Sequence, residues 1–340
     1  MISPGFPPDF KLPLETRLAF FASCVFLGLL IWDQSHWWLT REEYNFGIFV
    51  PIFVGWVLVE RWPAIRNFLV TGRAGTRGAD EEESSGREGK KDGWLSGVLE
   101  AGAWLVLIGA LALYAIGAVL RSSDEAANLP ATQAWAWSFA AFLLSSAFIV
   151  SRRIGVSGVT PALGDRLKFV GLFVFPALIW MISAPLLDFA ERKVSLFLLN
   201  RVTDIVSFTF ELLNYPLERK GNVLVLPMGQ VGVEDACSGI RSLTACLFAG
   251  SFMAAMYANR IWKKLTLIFL AMVLAFVMNI FRSLFLTAWA YAHGSEAIKG
   301  NFHDLTGYAV LGLTWVGLII LAQILNYSPD IEWEEEGSTA

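Results

Sequence analysis

Eight long apolar runs, separated by shorter polar segments, dominate the hydrophobic pattern of the chain. A hydrocarbon core of about 30 Å requires roughly 20 mainly apolar residues in a helix, so each run predicts one membrane-spanning helix. The predicted spans are Leu18–Trp37, Phe46–Trp62, Trp94–Leu120, Trp135–Val150, Leu167–Leu187, Cys237–Tyr257, Leu265–Tyr291 and Leu305–Leu325. The pattern therefore predicts an all-α polytopic membrane protein.

The segment after Asp188 follows a different pattern. Apolar residues recur at helical spacing from Val194 to Leu213, but charged residues among them make the segment costly to bury in lipid. This pattern predicts a helix lying in the outer membrane interface. Turn residues and short apolar runs follow, and they predict a β-hairpin with strands at Val223–Leu226 and Gln230–Val233.

These patterns divide the chain into six predicted segments. Residues 71–93 are rich in Gly, Ser and charge, which indicates a flexible linker. The segments are 1–70 with two spans, the linker 71–93, 94–187 with spans three to five, 188–236 with the interfacial helix and hairpin, 237–325 with the last three spans, and the acidic tail 326–340.

Composition and charge agree with a membrane protein. Hydrophobic residues make up 55% of the chain and charged residues only 16%, which excludes a soluble globule and a disordered chain. The net charge of −4 gives no indication of nucleic-acid binding, and three cysteines do not provide a disulfide framework.

Lys and Arg predict the orientation. With the N-terminus inside, sixteen basic residues fall in inner segments and eight in outer ones. The positive-inside rule then places both termini in the cytoplasm and 188–236 outside, in a cytoplasmic (inner) membrane. Linker 71–93 and tail 326–340 would both be cytoplasmic.

The stretch Val233-Glu-Asp-Ala-Cys-Ser-Gly-Ile-Arg-Ser-Leu243 lies at the outer end of the sixth span. A helix beginning there would stabilise a thiolate at Cys237, and Ser238 or Asp235 is predicted to cap it. Arg241 is expected on the same face, about 6 Å deeper, where its charge favours the thiolate further. Cys246, about 13 Å deeper, is interpreted as a packing residue.

A second arginine, Arg282, lies within the outer half of the seventh span. Burying arginine costs at least about 2.5 kcal/mol, so an intramembrane arginine indicates a functional site, although it can also snorkel or fix helix packing. Asn279, three residues earlier, is predicted to share its face.

Three histidines are present, and all are predicted on the outer side: His36, His293 and His303. His303, at the start of the eighth span, is expected at the depth of Cys237, whereas His293 is kept as an alternative base. His36 adjoins two tryptophans and is interpreted as an interfacial residue. No metal-ligand spacing is present, so no metal site is predicted.

One Cys, one Arg and one His thus come from three successive spans on the outer side, an arrangement suited to cysteine acyl transfer. The ordered set Ala236-Cys-Ser-Gly-Ile-Arg-Ser242, Asn279-Ile-Phe-Arg282 and His303 with Gly307 resembles the exosortase/archaeosortase family of membrane transpeptidases. The resemblance covers about residues 160–325, and a histidine in the third motif is similar to the bacterial exosortase branch.

The resemblance implies cleavage of exported proteins that carry a C-terminal sorting signal of the PEP-CTERM kind, with a short motif, one transmembrane helix and a basic tail. It implies Cys237 as nucleophile, Arg282 as stabiliser of the oxyanion or thiolate, and His303 as acid and base. Arg241, Asn279 and Ser238 would support them. The acceptor is an envelope amine or water, and this chemistry requires no cofactor.

Two other function classes remain open at this stage. A transporter would use Arg241 and Arg282 to bind an anionic substrate and would not require Cys237. A non-enzymatic scaffold for envelope or exopolysaccharide assembly would tolerate substitution of all three catalytic candidates. The expected partners are the exported substrate proteins, the envelope acceptor and membrane lipid, without nucleic acid.

Overall fold

The computed structural model describes residues 11–74, 92–123, 128–154, 160–232, 239–258 and 260–326. Within these ranges, eight helices are long and apolar enough to cross a membrane, which confirms the eight predicted spans and the all-α polytopic fold. They are Leu14–Thr40, Glu42–Thr71, Trp94–Ser122, Leu129–Ser151, Leu163–Ser183, Ile240–Tyr257, Ile261–His293 and Asn301–Leu325. The protein is therefore a multi-pass membrane protein. Residues 75–91 of the predicted linker and 327–340 of the predicted tail lie outside the described residues.

The chain forms two compact units, Met1–Leu199 and Asn200–Ala340. In the first unit the helices are α1 (Leu14–Thr40), a 3-10 helix (Glu42–Phe49), α2 (Val50–Thr71), α3 (Asp92–Ser122), α4 (Leu129–Ser151), α5 (Leu163–Gly171), α6 (Val174–Ser183) and the first half of α7 (Asp188–Leu212). α4 is the central helix of this unit and packs against α1, α3, α5 and α6.

The fifth span is broken between α5 and α6. Pro176 lacks the N–H that would bond the carbonyl of Leu172, and its ring would clash with that carbonyl in a continuous helix. The helix therefore interrupts at Leu172, whose carbonyl accepts a hydrogen bond from the guanidinium of Arg61 instead. A buried backbone acceptor in lipid must be satisfied in this way.

The end of α6 is fixed by side chains of α1. Gln34 Nε2 donates to the carbonyl of Trp180 at 2.9 Å, and Trp38 Nε1 donates to the carbonyl of Ser183 at 3.1 Å. All four residues are buried. The Trp180 carbonyl also accepts from the backbone N–H of Ala184 at 3.2 Å, and the Trp38 bond gives a partner to the carbonyl of Ser183, the last residue of α6.

The start of α7 is held in the same region of the first unit. The backbone N–H of Leu186 donates to the hydroxyl of the buried Tyr44 at 3.0 Å. Arg41 then binds two carboxylates of the first turn of α7, Asp188 at 3.3 Å and Glu191 at 3.2 Å. The predicted interfacial helix is thus present as α7, and it is not among the eight candidate spans found in the described residues.

A buried ion-pair cluster joins α3, α4 and α5. The Arg166 side chain is 3% exposed and donates to Glu100 at 2.9 Å and to Ser151 at 3.0 Å. Arg152 binds the other oxygen of Glu100 at 2.6 Å. Glu100 therefore neutralises a buried guanidinium, and its role is structural.

The second unit contains the rest of α7, β1 (Glu218–Lys220), β2 (Val223–Leu226), β3 (Gly229–Gly232), α8 (Ile240–Tyr257), α9 (Ile261–His293), a 3-10 helix (Ser295–Ile298) and α10 (Asn301–Asn326). β2 and β3 confirm the predicted hairpin, with Leu226 opposite Gly229. The third strand, β1, pairs antiparallel with β2 and was not predicted, because its three residues are all polar and exposed.

Small residues allow α8, α9 and α10 to pack closely. A Cβ at Gly250 of α8 would lie 2.6 Å from Cβ of Ala271, and one at Gly317 of α10 would lie 2.8 Å from the side chain of Leu274. Such close approach is typical of helix interfaces in membranes. Cys246 is buried within α8, in agreement with a packing role.

The sheet packs on the outer part of α9. Leu226 and Val231 form one apolar cluster with Leu286, Ala290 and Ile298. Because Leu286 lies one helical turn after Arg282, this cluster holds the sheet close to this part of α9.

Candidate functional site

Two of the candidate side chains are in direct contact. Nη2 of Arg282, on α9, lies 2.9 Å from Nε2 of His303, in the first turn of α10. The same Nη2 also donates to the backbone carbonyl of His303 at 3.2 Å. The structure thus brings together an arginine and a histidine that are separated by 21 positions in the sequence.

This contact defines the tautomer of His303. A guanidinium has only donors, so Nε2 must accept the hydrogen bond and carries no proton. The proton of the neutral ring is then on Nδ1, which lies 3.3 Å from a carboxylate oxygen of Asp304. The side chain of Asp304 is 65% exposed. Side chains of adjacent residues on a helix rarely face each other. The ring is therefore oriented at both nitrogens with its basic atom toward Arg282.

Gly307, one turn after His303, lies directly against the guanidinium. A Cβ at this position would be 3.4 Å from Nη2 of Arg282 and 3.6 Å from its Cζ. A larger side chain would occupy the space of the guanidinium itself. Gly307 therefore leaves Arg282 enough room to reach His303.

Asn279 is 2% exposed and lies one turn before Arg282 on α9. Its amide faces Gly239, where a Cβ would lie only 2.8 Å from Nδ2. Gly239 has a φ of +70°, in the left-handed region that favours glycine. Both the backbone conformation and the close approach of Asn279 therefore require glycine at this position.

Several buried polar atoms at this site have no hydrogen-bond partner among the described residues. They are Nδ2 and Oδ1 of Asn279, Nε of Arg282 and Oγ of Ser283. Leaving a buried donor unpaired costs about 1–3 kcal/mol, so unpaired groups in a native structure call for an explanation such as ligand binding. Two N–H donors one turn apart, Nδ2 of Asn279 and Nε of Arg282, are thus available to an acceptor.

Cys237 and Ser238 lie outside the described residues, as does Asp235. The described chain resumes at Gly239, which is the N-cap of α8 and makes no side-chain cap hydrogen bond. The prediction that Ser238 or Asp235 caps this helix therefore concerns residues outside the described ranges.

The predicted placement of Arg241 one turn deeper on the face of Cys237 assumed a helix through residues 237–241. Gly239, with its left-handed φ of +70°, does not continue the helix. Cys237 lies outside the described residues, so the position of Arg241 relative to it stays a prediction. α8 begins at Ile240, so Arg241 lies in the first turn of the helix, and its side chain is exposed.

The other two histidines are not part of this group. His293 is the last residue of α9, and its ring stacks on Trp289 with 4.3 Å between ring centroids. His36 contacts Trp37 edge-on at 5.3 Å. Of the three histidines, His303 alone contacts Arg282 within the described part of the chain.

The described residues contain no group of three or more His, Cys, Asp or Glu side chains that could hold a metal ion. Gly239 and Gly307 belong to the predicted motifs, but no role was predicted for either glycine, because each role depends on close packing between helices.

The fold and this site together define a polytopic membrane protein with an arginine–histidine pair among apolar helices. Among protein families, the one described as Transmembrane exosortase (Exosortase_EpsH) matches residues 37–320, which include all three motifs. The chain belongs to the transmembrane exosortase family, which confirms the resemblance. Searches of curated proteins and of solved structures found no match. Membership implies a membrane transpeptidase that processes exported proteins bearing a sorting signal.

Proposed function

We propose that the protein is a cysteine transpeptidase or protease that cleaves the C-terminal sorting signal of exported proteins through a thioester on Cys237. The proposed site faces the extracytoplasmic side of the cytoplasmic membrane, with both termini in the cytoplasm. The observation that carries the proposal is the pair of unpartnered buried donors, Arg282 Nε and Asn279 Nδ2, next to the Arg282–His303 contact.

Sequence position connects Cys237 with this pair. Only Ser238 separates Cys237 from Gly239, and two residues of chain cover at most about 7 Å. Gly239 touches Asn279, which lies one turn from Arg282. A nucleophile on this short tether, beside an oriented base, is the arrangement that nucleophilic catalysis requires.

In the first step the thiol proton of Cys237 passes to Nε2 of His303, and the sulfur attacks the scissile carbonyl carbon. The Nε2 lone pair accepts a hydrogen bond from Arg282 in the structure, and it must leave this bond to take the proton. The C–N bond then breaks, the leaving amine takes the proton from His303, and the substrate remains as a thioester.

The oxyanion of the tetrahedral intermediate would accept hydrogen bonds from Arg282 and Asn279. Preorganised donors of this kind are worth about 2.7–4 kcal/mol each in acyl transfer, and a low-dielectric site strengthens them. The unpaired donors of the structure would thus acquire their partner only during the reaction.

In the second step His303 takes a proton from the acceptor, which attacks the thioester carbonyl carbon. The C–S bond then breaks, the processed protein is released, and the Cys237 sulfur takes the proton back from His303. An amine of an envelope component gives transpeptidation, and water gives proteolysis. The expected substrates carry a PEP-CTERM-like signal, and the released fragment is its transmembrane helix with the basic tail.

The test is processing of a co-expressed, tagged protein with such a signal, compared at matched membrane abundance. Cys237→Ala should abolish release of the C-terminal helix. Arg282→Lys and His303→Gln should each reduce it by roughly 10²-fold or more, because a lysine cannot make two directed bonds and glutamine cannot carry the proton. His293→Gln and Arg241→Gln are the matched controls and should process at close to the wild-type rate.

Processing by Cys237→Ala at the wild-type rate would refute Cys237 as nucleophile. A variant set in which Arg241 and Arg282 matter and Cys237 does not would favour transport of an anionic substrate. Dispensability of all of these residues would favour a scaffold.

A further inference from the structure

The first unit contains a cavity of about 910 Å³ between α1, α3 and α4. α1 and α3 both pack along α4, which forms the floor of a cleft with α1 and α3 as its walls. Apart from Ser146, its wall residues on α4 and the other two helices are apolar except near one end, where Glu15, Glu100, Arg152 and Arg153 line the opening. Cavities of a few hundred to about 1,000 Å³ with few polar groups are typical of binding sites for small molecules.

The cleft closes toward the middle of the membrane. Its deepest lining residues are Ala22, Leu107 and Phe142. One turn beyond Ala22, the ring of Phe26 meets that of Tyr114 at 4.8 Å and brings α1 and α3 together.

The length of the cleft corresponds to one leaflet. From Glu15 to Phe26, α1 rises about 16 Å. Half of a hydrocarbon core is about 15 Å. The cleft thus extends from the charged ends of the helices to the middle of the bilayer, which is the length of one acyl chain.

The charges at the opening favour an anion. Arg153 binds Glu15, and Arg152 binds Glu100 at 2.6 Å. Glu100 also binds the buried Arg166, so three guanidinium groups share two carboxylates and one positive charge is left over. Arg152 and Arg153 have side chains that are 57% and 68% exposed, so both have donors available outside their ion pairs.

We propose that this cleft binds one glycerophospholipid, with an acyl chain between α1 and α3 and the phosphodiester on Arg152 and Arg153. The charge distribution of the sequence places this opening at the cytoplasmic surface, so the lipid comes from the inner leaflet. Basic pockets between transmembrane helices bind lipid headgroups on that side. The site is separate from the proposed catalytic residues and belongs entirely to the first unit.

The test uses the full-length protein, stripped of lipid in detergent, with native mass spectrometry to measure binding. The probes are phosphatidylglycerol, phosphatidylethanolamine and diacylglycerol with the same acyl chains. Wild type should bind one molecule of either phospholipid, and diacylglycerol at least roughly tenfold more weakly, because it lacks the phosphate. Equal affinity for the two phospholipids would identify the phosphodiester as the recognised group, and preference for phosphatidylglycerol would identify the surplus charge.

Two variants test the binding of the lipid headgroup and the binding of the acyl chain separately. Arg152→Gln with Arg153→Gln should weaken phospholipid binding roughly tenfold or more, whereas Arg201→Gln, an exposed arginine of the second unit, should not. Ala22→Trp should fill the deep end and abolish binding of every probe. Gly28→Trp is its control on the same helix, since a side chain there meets no atom within 4 Å.

Equal binding of diacylglycerol and phosphatidylglycerol by wild type would overturn the proposal. So would unchanged phospholipid affinity in the double arginine variant. Because both arginines are exposed, that variant decides the matter even if Ala22→Trp fails to fold.

Discussion

A Cβ on Gly307 of α10 would lie 3.4 Å from Nη2 of Arg282 on α9. Because Gly307 has no side chain, there is room for the guanidinium between the two helices, and a large side chain at Gly307 would fill that room. The contact makes Gly307 a determinant of where Arg282 points.

Gly307→Leu is expected to reduce signal processing by roughly 10²-fold, because displacement of a catalytic group by about 1 Å has this effect. Gly307→Ala should retain most of the activity, since its Cβ makes ordinary van der Waals contact. The control is Gly312→Leu on the same helix, where a Cβ meets no atom within 4 Å. Equal activity of Gly307→Leu and Gly312→Leu would contradict the assignment.

The contact between Gly239 and Asn279 can be tested by comparing Gly239 with Gly221, which has a similar backbone conformation but no such contact. Their φ angles are +70° and +64°, but a Cβ at Gly221 meets no atom within 4 Å. Alanine at either site should cost about 1–2 kcal/mol of backbone strain. Only Gly239→Ala should also displace Asn279 and lower processing at least roughly tenfold, measured at equal membrane abundance. Similar loss of processing in both variants would mean that the Asn279 contact is unimportant.

The buried ion pair of the first unit predicts that alanine substitution at two glutamates will lower protein stability by different amounts. Glu100→Ala leaves Arg166 buried without its carboxylate and should destabilise the protein by about 3–5 kcal/mol. Glu15→Ala removes a partner of the exposed Arg153 and should cost about 0–1 kcal/mol. Denaturation in detergent measures both, and comparable loss in the two variants would argue against a structural role specific to Glu100.

Glu191 predicts a pH dependence of stability. Burial raises the pKa of its carboxyl, and the nearby Arg41 opposes this effect only in part. A raised carboxyl pKa means that the protonated form is favoured in the folded state. The contribution of the protonated Glu191 carboxyl to folding stability is complete below the ordinary pKa of 4.5. This contribution is lost as pH rises through the raised pKa.

Glu191→Gln should therefore show a smaller decline of Tm than wild type as pH is raised from 4.5. Arg41→Gln should show a larger decline than wild type, because it removes the charge that opposes the raised pKa of Glu191. Identical slopes for wild type and Glu191→Gln would contradict the assigned cause.

Much of the fold could be predicted because lipid constrains it strongly. Eight apolar runs must each become a helix, and β2 and β3 have apolar residues and turn glycines that indicate a hairpin. β1 was missed because a strand of Glu, Arg and Lys is held by backbone pairing, which leaves no apolar pattern. The break at Leu172 depends on one proline ring, which a count of apolar residues does not detect.

For the site, sequence reasoning predicted residue types and depth but not geometry. Arg282 and His303 were both placed in the outer half of the membrane, and the structure brings them into contact. The helix assumed through Gly239 is absent, because this residue has a left-handed conformation, and the position of Arg241 relative to Cys237 stays a prediction. The role of Cys237 stays a prediction.

The hydrogen bonds at the end of α6 also determine when the first unit can assemble. Gln34 reaches Trp180 across 146 positions of sequence, and Trp38 reaches Ser183 across 145. At a synthesis rate of 5–20 residues per second, α1 would wait about 7–30 s in the membrane before these partners emerge. Arg282 and His303, 21 positions apart, become available almost together. Biogenesis of the first unit is therefore the slow stage, during which an unpaired amide on α1 is exposed to lipid or to the insertion machinery.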